Sequence, residues 1–144
     1  MTEESKSVLE RLGIDVGFKT THTKTITEAD IVLTAGVSGD FNPLHMSEEF
    51  AKKTFFKGRI AHGVIAMGLL SAAMAKLPGL TILLSMSVRL LKPVKIGDTI
   101  TATVEVKGIR GDRGIVTLKN ACVNQEGETV VEGESACMVS EAPS

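Results

Sequence analysis

The chain of 144 residues carries a formal net charge of -1, with 43% hydrophobic and 23% charged residues. A chain near this length buries roughly 68–70% of its unfolded surface, enough for one modest core without staples. The balanced charge gives no bulk attraction for nucleic acid. Cys122 and Cys137 lack the spacing and histidine neighbours of a metal or redox motif, so they are expected as core residues in a reducing compartment.

Met1–Lys6 is acidic and polar, unlike the basic start and apolar stretch of a secretory signal, which points to the cytoplasm. Val8, Leu9 and Leu12 hint at a short helix stopped by Gly13. Residues 1–17 are treated as an appendage to a single domain over 18–144. The threonine-rich stretch 18–27 predicts a strand with an exposed face or at a sheet edge. Thr27 and Asp30 stand at capping-box spacing, with aspartate in place of glutamate, so a helix is expected from Glu28 to about Gly36. Gly39-Asp40 and Asn42-Pro43 are turn formers and predict loop from Val37 to His45. Ser47 then caps a short helix through Lys52, and 54–59 returns to irregular structure.

The apolar run from Ile60 to Leu77 would extend about 27 Å as a helix, close to the ~30 Å of a bilayer core. Its His62, Ser71 and Lys76, and its lack of anchoring aromatics, favour a buried helix instead. That helix is predicted over about 61–76, apolar nearly all round and hence enclosed, with Pro78-Gly79 ending it. Strands follow. Leu84, Met86, Val88 and Leu90 alternate with Ser85, Ser87 and Arg89, while Ala102, Val104 and Val106 alternate with Thr101, Thr103 and Glu105. Turn signals at 92–98, 108–114 and 124–127 leave links too short for parallel crossovers, so the neighbours are antiparallel. The expected class is α+β, a curved antiparallel sheet around one enclosed helix.

Ser38-Gly39-Asp40-Phe41-Asn42-Pro43-Leu44-His45 sets a carboxylate and an imidazole in one turn-rich segment that can fold back and aim both at one point. Such a pair can hold a water molecule while the imidazole draws off its proton. Pro43 fixes one dihedral and pushes Asn42 toward extended geometry, and the Asn42 amide can tie the loop to nearby backbone. By spacing alone the same residues also read as a capping carboxylate and a surface imidazole. Ile60-Ala61-His62-Gly63 opens the long helix, whose first N–H groups lack intrahelical partners and carry the positive dipole end. Gly63 has no side chain to block a carbonyl oxygen, although a glycine there equally suits close helix packing. No cluster has metal-ligand spacing, so no metal is expected.

Gly39-Asp40-Phe41-Asn42-Pro43-Leu44-His45-Met46-Ser47, then Phe50-Ala51, Thr54, Phe56 and Ile60-Ala61-His62-Gly63, resembles the hydratase-2 signature of the MaoC-like (R)-specific enoyl-CoA hydratases. Lys92-Pro93-Val94 and Gly97-Asp98-Thr99 extend the resemblance, which spans about residues 20–140. It implies a hot-dog fold, a long central helix wrapped by a five-stranded sheet. It also implies a homodimer joined through its sheets, alone or in a larger assembly of dimers, and an acyl tunnel near the interface. The implied reaction adds water to trans-2-enoyl-CoA to give (R)-3-hydroxyacyl-CoA. Asp40 and His45 would activate water and the Gly63 N–H would bind the thioester oxygen. Asn42, Phe41, Phe56, His62 and Ser71 would complete the substrate site, with a structural role for His62 and a satisfied helix hydroxyl for Ser71 as the competing readings. The resemblance implies no cofactor, since the CoA thioester is itself the substrate, and no membrane or nucleic-acid partner. A carrier-protein dehydratase, a hot-dog thioesterase and a noncatalytic acyl-CoA binding module stand as alternatives. The basic run Lys52, Lys53, Lys57 and Arg59 reads either as a solvated loop or as a contact for the CoA phosphates.

Overall fold

Local chemistry sets most element boundaries in the computed structural model, which describes residues 7–144; the expectation drawn from Met1–Lys6 lies outside the described residues. Helix α1 (Val8–Leu12) starts where the Ser7 side chain accepts from the Glu10 N–H and stops at Gly13, whose φ of 74° suits glycine. Leu9 and Ile14 are buried in the main core. Strand β1 (Lys19–Thr25) alternates exposed and half-buried residues along its length.

The capping box at the start of α2 (Glu28–Ser38) is present as expected. Thr27 accepts from the Asp30 N–H, and Asp30 accepts from the Thr27 N–H. The helix does not end near Gly36, and the segment 37–45 is not all loop. One glycine inside a helix costs only about 1 kcal/mol, so α2 runs on until Gly39 takes the left-handed φ of 81°. A second helix, α3 (Pro43–Met46), follows because Asn42 caps it and Pro43 occupies its first turn, where a missing N–H is harmless. Ser47 caps α4 (Glu48–Ala51).

The long helix, α5 (Gly63–Met74), is shorter than expected at both ends and is not enclosed all round. Ala66, Leu69, Leu70, Ala73 and Met74 face the core, but Val64, Gly68, Ser71 and Ala75 form an exposed stripe at helical spacing. Gly68, Ser71 and Ala75 are small and only weakly polar or apolar, so they fit either face, which is why periodicity could not separate the two faces.

Strands β2 (Leu80–Leu90), β3 (Thr99–Arg110), β4 (Ile115–Val123) and β5 (Thr129–Ser140) join β1 in one antiparallel sheet of order β1-β3-β4-β5-β2. Both β1 and β2 are therefore edges. Ile100, Ala102, Val104 and Val106 of β3 and Val116 and Leu118 of β4 are buried on the sheet's inner face, where α5 packs. The alternation expected along β2 holds only for Met86 and Val88. A register shift between Leu83 and Ser85 breaks the period, leaving Leu84 exposed. Cys122 and Cys137 are free and buried, and burial pushes both thiols up to about 11. Among the described residues no helix is long and apolar enough to cross a membrane.

Candidate active site

The segment between α2 and α3 is held by short hydrogen bonds that reach only two residues ahead. Ser38 Oγ accepts from the Asp40 N–H (3.0 Å), Asp40 Oδ1 from the Asn42 N–H (3.1 Å), and Asn42 Oδ1 from the Leu44 N–H (3.0 Å). These bonds bend the chain between Asp40 and His45 and seat His45 on the single turn of α3.

The His45 ring is buried, with Nδ1 2.7 Å from the Ile60 carbonyl oxygen. A carbonyl oxygen can only accept, so Nδ1 carries the hydrogen and Nε2 keeps its lone pair. The backbone of His45 is held as well. Arg59 Nε donates to the His45 carbonyl at 2.6 Å, and its two terminal nitrogens form a fork on Glu28 at 2.8 and 3.0 Å. The hydrogen bond from Arg59 holds the exposed Glu28 carboxyl below its ordinary value. His62 lies against the other side of the site. Its Nε2 donates to the Asp40 carbonyl oxygen at 2.9 Å, and its ring centroid is 4.1 Å from that of His45 at an interplanar angle of 32°.

One polar side-chain atom from each of Asp40, His45 and His62 lies within 4.8 Å of the others; the approach of Asp40 to His45 is the one expected from their loop, whereas the arrival of His62 is not signalled by spacing along the chain. With centroids only 4.1 Å apart and planes tilted by 32°, the two imidazoles lie face against face, a poor arrangement for aiming both in-plane lone pairs at one ion about 2.0–2.1 Å away. A hydrogen-bonded water, which reaches its partners across roughly 2.8 Å, fits this spacing better.

Gly63 is the first residue of α5, so its N–H has no partner within the helix. A Cβ placed there would sit 2.5 Å from Leu90 Cδ1. The site opens into a mostly apolar cavity of about 420 Å³, lined by His45, His62, Gly63 and Phe56 together with apolar residues such as Ile65, Leu69 and Ile100.

Residues 12–126 match the family model described as MaoC like domain. The chain belongs to this family. It is 46% identical over 118 residues to an (R)-specific enoyl-CoA hydratase of Rhodospirillum rubrum, covering 81% of each chain. It is 38% identical over 129 residues to a 3-hydroxybutyryl-CoA dehydratase of Methylorubrum extorquens, covering 88% of this chain and 81% of that one. Among solved structures, the (R)-hydratase from A. caviae involved in PHA biosynthesis superposes with a TM-score of 0.84 at 36% identity, over 88% of this chain and 98% of that one. The α+β hot-dog fold expected from the resemblance is thus the fold of this chain.

Within the family framework, the structure brings Asp40, His45, His62 and Gly63 together and places Phe56 on the cavity wall. Asp40 itself is exposed, approaching the two imidazoles from the solvent side. Asn42 acts as the cap of α3. Phe41 and Ser71 are exposed and lie away from the cavity lining. Of the basic run, Lys52, Lys53 and Lys57 are exposed, whereas Arg59 is committed to Glu28 and His45. Arg59 and Glu28 are 31 positions apart, and nothing local in sequence signals their pairing.

Proposed function

We propose that this protein is an (R)-specific enoyl-CoA hydratase, adding water to trans-2-enoyl-CoA. The observation that carries the reading is the convergence of polar side-chain atoms of Asp40 and His45 within 4.8 Å, beside the first N–H of α5 and a cavity of about 420 Å³. The similarity to named hydratases and dehydratases supports the same reaction type.

In this reading a water molecule is held between the Asp40 carboxylate and His45 Nε2. The imidazole takes one proton as the oxygen bonds to C3 of the enoyl chain. Electron density from the double bond moves through C2 onto the thioester oxygen, which the Gly63 N–H stabilises. A proton then reaches C2, so the net change is addition of H and OH. The apolar lining of the cavity, Phe56 included, receives the acyl chain. Asn42 contributes by holding the loop; Phe41 rests on the motif and Ser71 on a pocket serine near that position in similar enzymes, and both stand outside the cavity lining.

The proposal assigns the activity to the single domain over 18–144, whose core the segment before it also enters through Leu9 and Ile14, requires no metal or cofactor, and locates the protein in the cytoplasm. It also makes the molecule a homodimer. The outer edge of β2 carries the exposed apolar residues Leu80, Ile82 and Leu84, a surface suited to pairing with a second copy.

General acid–base catalysis contributes ~10²–10⁴ in rate. Asp40→Asn and His45→Gln are each expected to lose about that factor in kcat on crotonyl-CoA while keeping the parent's circular dichroism. Folded variants with near-parental turnover would remove this mechanism.

A further inference from the structure

His62 occupies the N-cap of α5, where Ser, Thr, Asp or Asn would satisfy a first-turn N–H, yet its side chain makes no capping bond. The imidazole turns instead toward the loop between α2 and α3. It is 2% exposed, its Nε2 lies 2.9 Å from the Asp40 carbonyl oxygen, and its face stacks on His45. Because a carbonyl only accepts, Nε2 carries the hydrogen. Nδ1 is buried and has no hydrogen-bond partner among the described residues. The ring's one hydrogen bond and its one ring contact thus both go to the pair that the proposed reaction uses.

We propose that His62 is a positioning residue for the acid–imidazole pair, an inference that rests on the hydratase reading and deepens it. The Nε2–H fixes the Asp40 backbone and so sets the carboxylate's separation from His45 Nε2. The stacked ring face keeps the His45 imidazole from tilting away from the water position, while Ile60 holds its far nitrogen. Neither action bears on the acyl thioester. His62 also lines the cavity, but its hydrogen bond and ring contact both fall on the acid–imidazole pair, so variants of similar size that differ in the donor differ in kcat more than in KM.

Gln places a donor near the position of Nε2, Asn is one carbon too short to do so, and Phe keeps a flat ring without a donor. Hydration of crotonyl-CoA by His62→Gln, His62→Asn and His62→Phe is compared with the parent, together with melting temperatures and the imidazole nitrogen NMR resonances of His45. The expected result is a kcat at least about tenfold lower in the Asn and Phe variants, the scale of one hydrogen bond of ~1.4 kcal/mol. KM stays within about twofold, and Gln recovers several-fold of the lost rate. Should Phe not fold, the Gln–Asn comparison decides alone. Equal kcat in folded Gln and Asn variants, or a loss expressed mainly in KM, overturns the role. The His45 resonances separate this inference from the reading of function: moved or broadened in the Asn variant, they uphold the positioning role even if the parent fails to hydrate, and unchanged they overturn it whatever the turnover.

Discussion

Gly63 shows how much one missing methyl group decides at the mouth of the cavity. An alanine Cβ there would lie 2.5 Å from Leu90 Cδ1, and only the end of a flexible side chain can yield. Leu90 lines the same cavity, so its displacement disturbs the space the acyl chain needs. Leu90 is 59% exposed and can swing aside, so the cost lies at or below the low end of the ~1–3 kcal/mol of core overpacking. Gly63→Ala is expected to lower the melting temperature and raise KM for crotonyl-CoA, and adding Leu90→Ala should return most of the lost stability. A Gly63→Ala protein as stable as its parent, with no further change on truncating Leu90, would show that the contact is not felt. From the residues alone Gly63 reads first as a packing glycine, and the family resemblance adds the bare N–H; in the structure it both abuts Leu90 and opens α5 with an N–H that has no partner within the helix.

At the scale of elements, Arg59 ties together the start of α2, the His45 carbonyl on α3 and the approach to α5. The fork on Glu28 gives this clamp a pH dependence. Arg59 favours the ionised carboxylate, so the Glu28 carboxyl sits below its ordinary value in the folded protein. The unfolded chain then binds a proton at Glu28 before the folded one does. The bridge contributes fully above the ordinary glutamate range and is lost as pH falls through the lowered value. Glu28→Gln should therefore show a shallower loss of stability on acidification than the parent in urea titrations across that range. An acid limb of equal slope in both would mean that the bridge is not coupled to folding. Capping at Thr27 and Ser47 is legible because each cap and its partner lie within three residues. Helix α3 is not, since Asn-Pro is a turn signal and Pro at the first helical position also starts a helix, two outcomes the dipeptide does not separate.

For the whole molecule, the sheet order leaves β2 at an edge with its outer row of backbone groups unpaired by any other described strand. Leu84 is 52% exposed and Ile82 42%, so changing them costs little in the isolated chain. A long apolar edge is a template for pairing. If a second copy covers it, Ile82→Lys with Leu84→Lys should convert a dimer to a folded monomer in sedimentation experiments. A doubly substituted protein that remains a dimer would place the contact elsewhere.

Chain order alone determined the class of the fold, the antiparallel sheet and the segments that bear Asp40, His45 and Gly63, because alternation, short links, caps and the motif are all written within a few consecutive residues. Tertiary structure decided the rest. The stacking of His62 on His45, the reach of Arg59 to Glu28, the exposed stripe of α5 and the edge position of β2 join residues far apart in the chain or depend on which face a neighbour covers. Local periodicity carries no information about either.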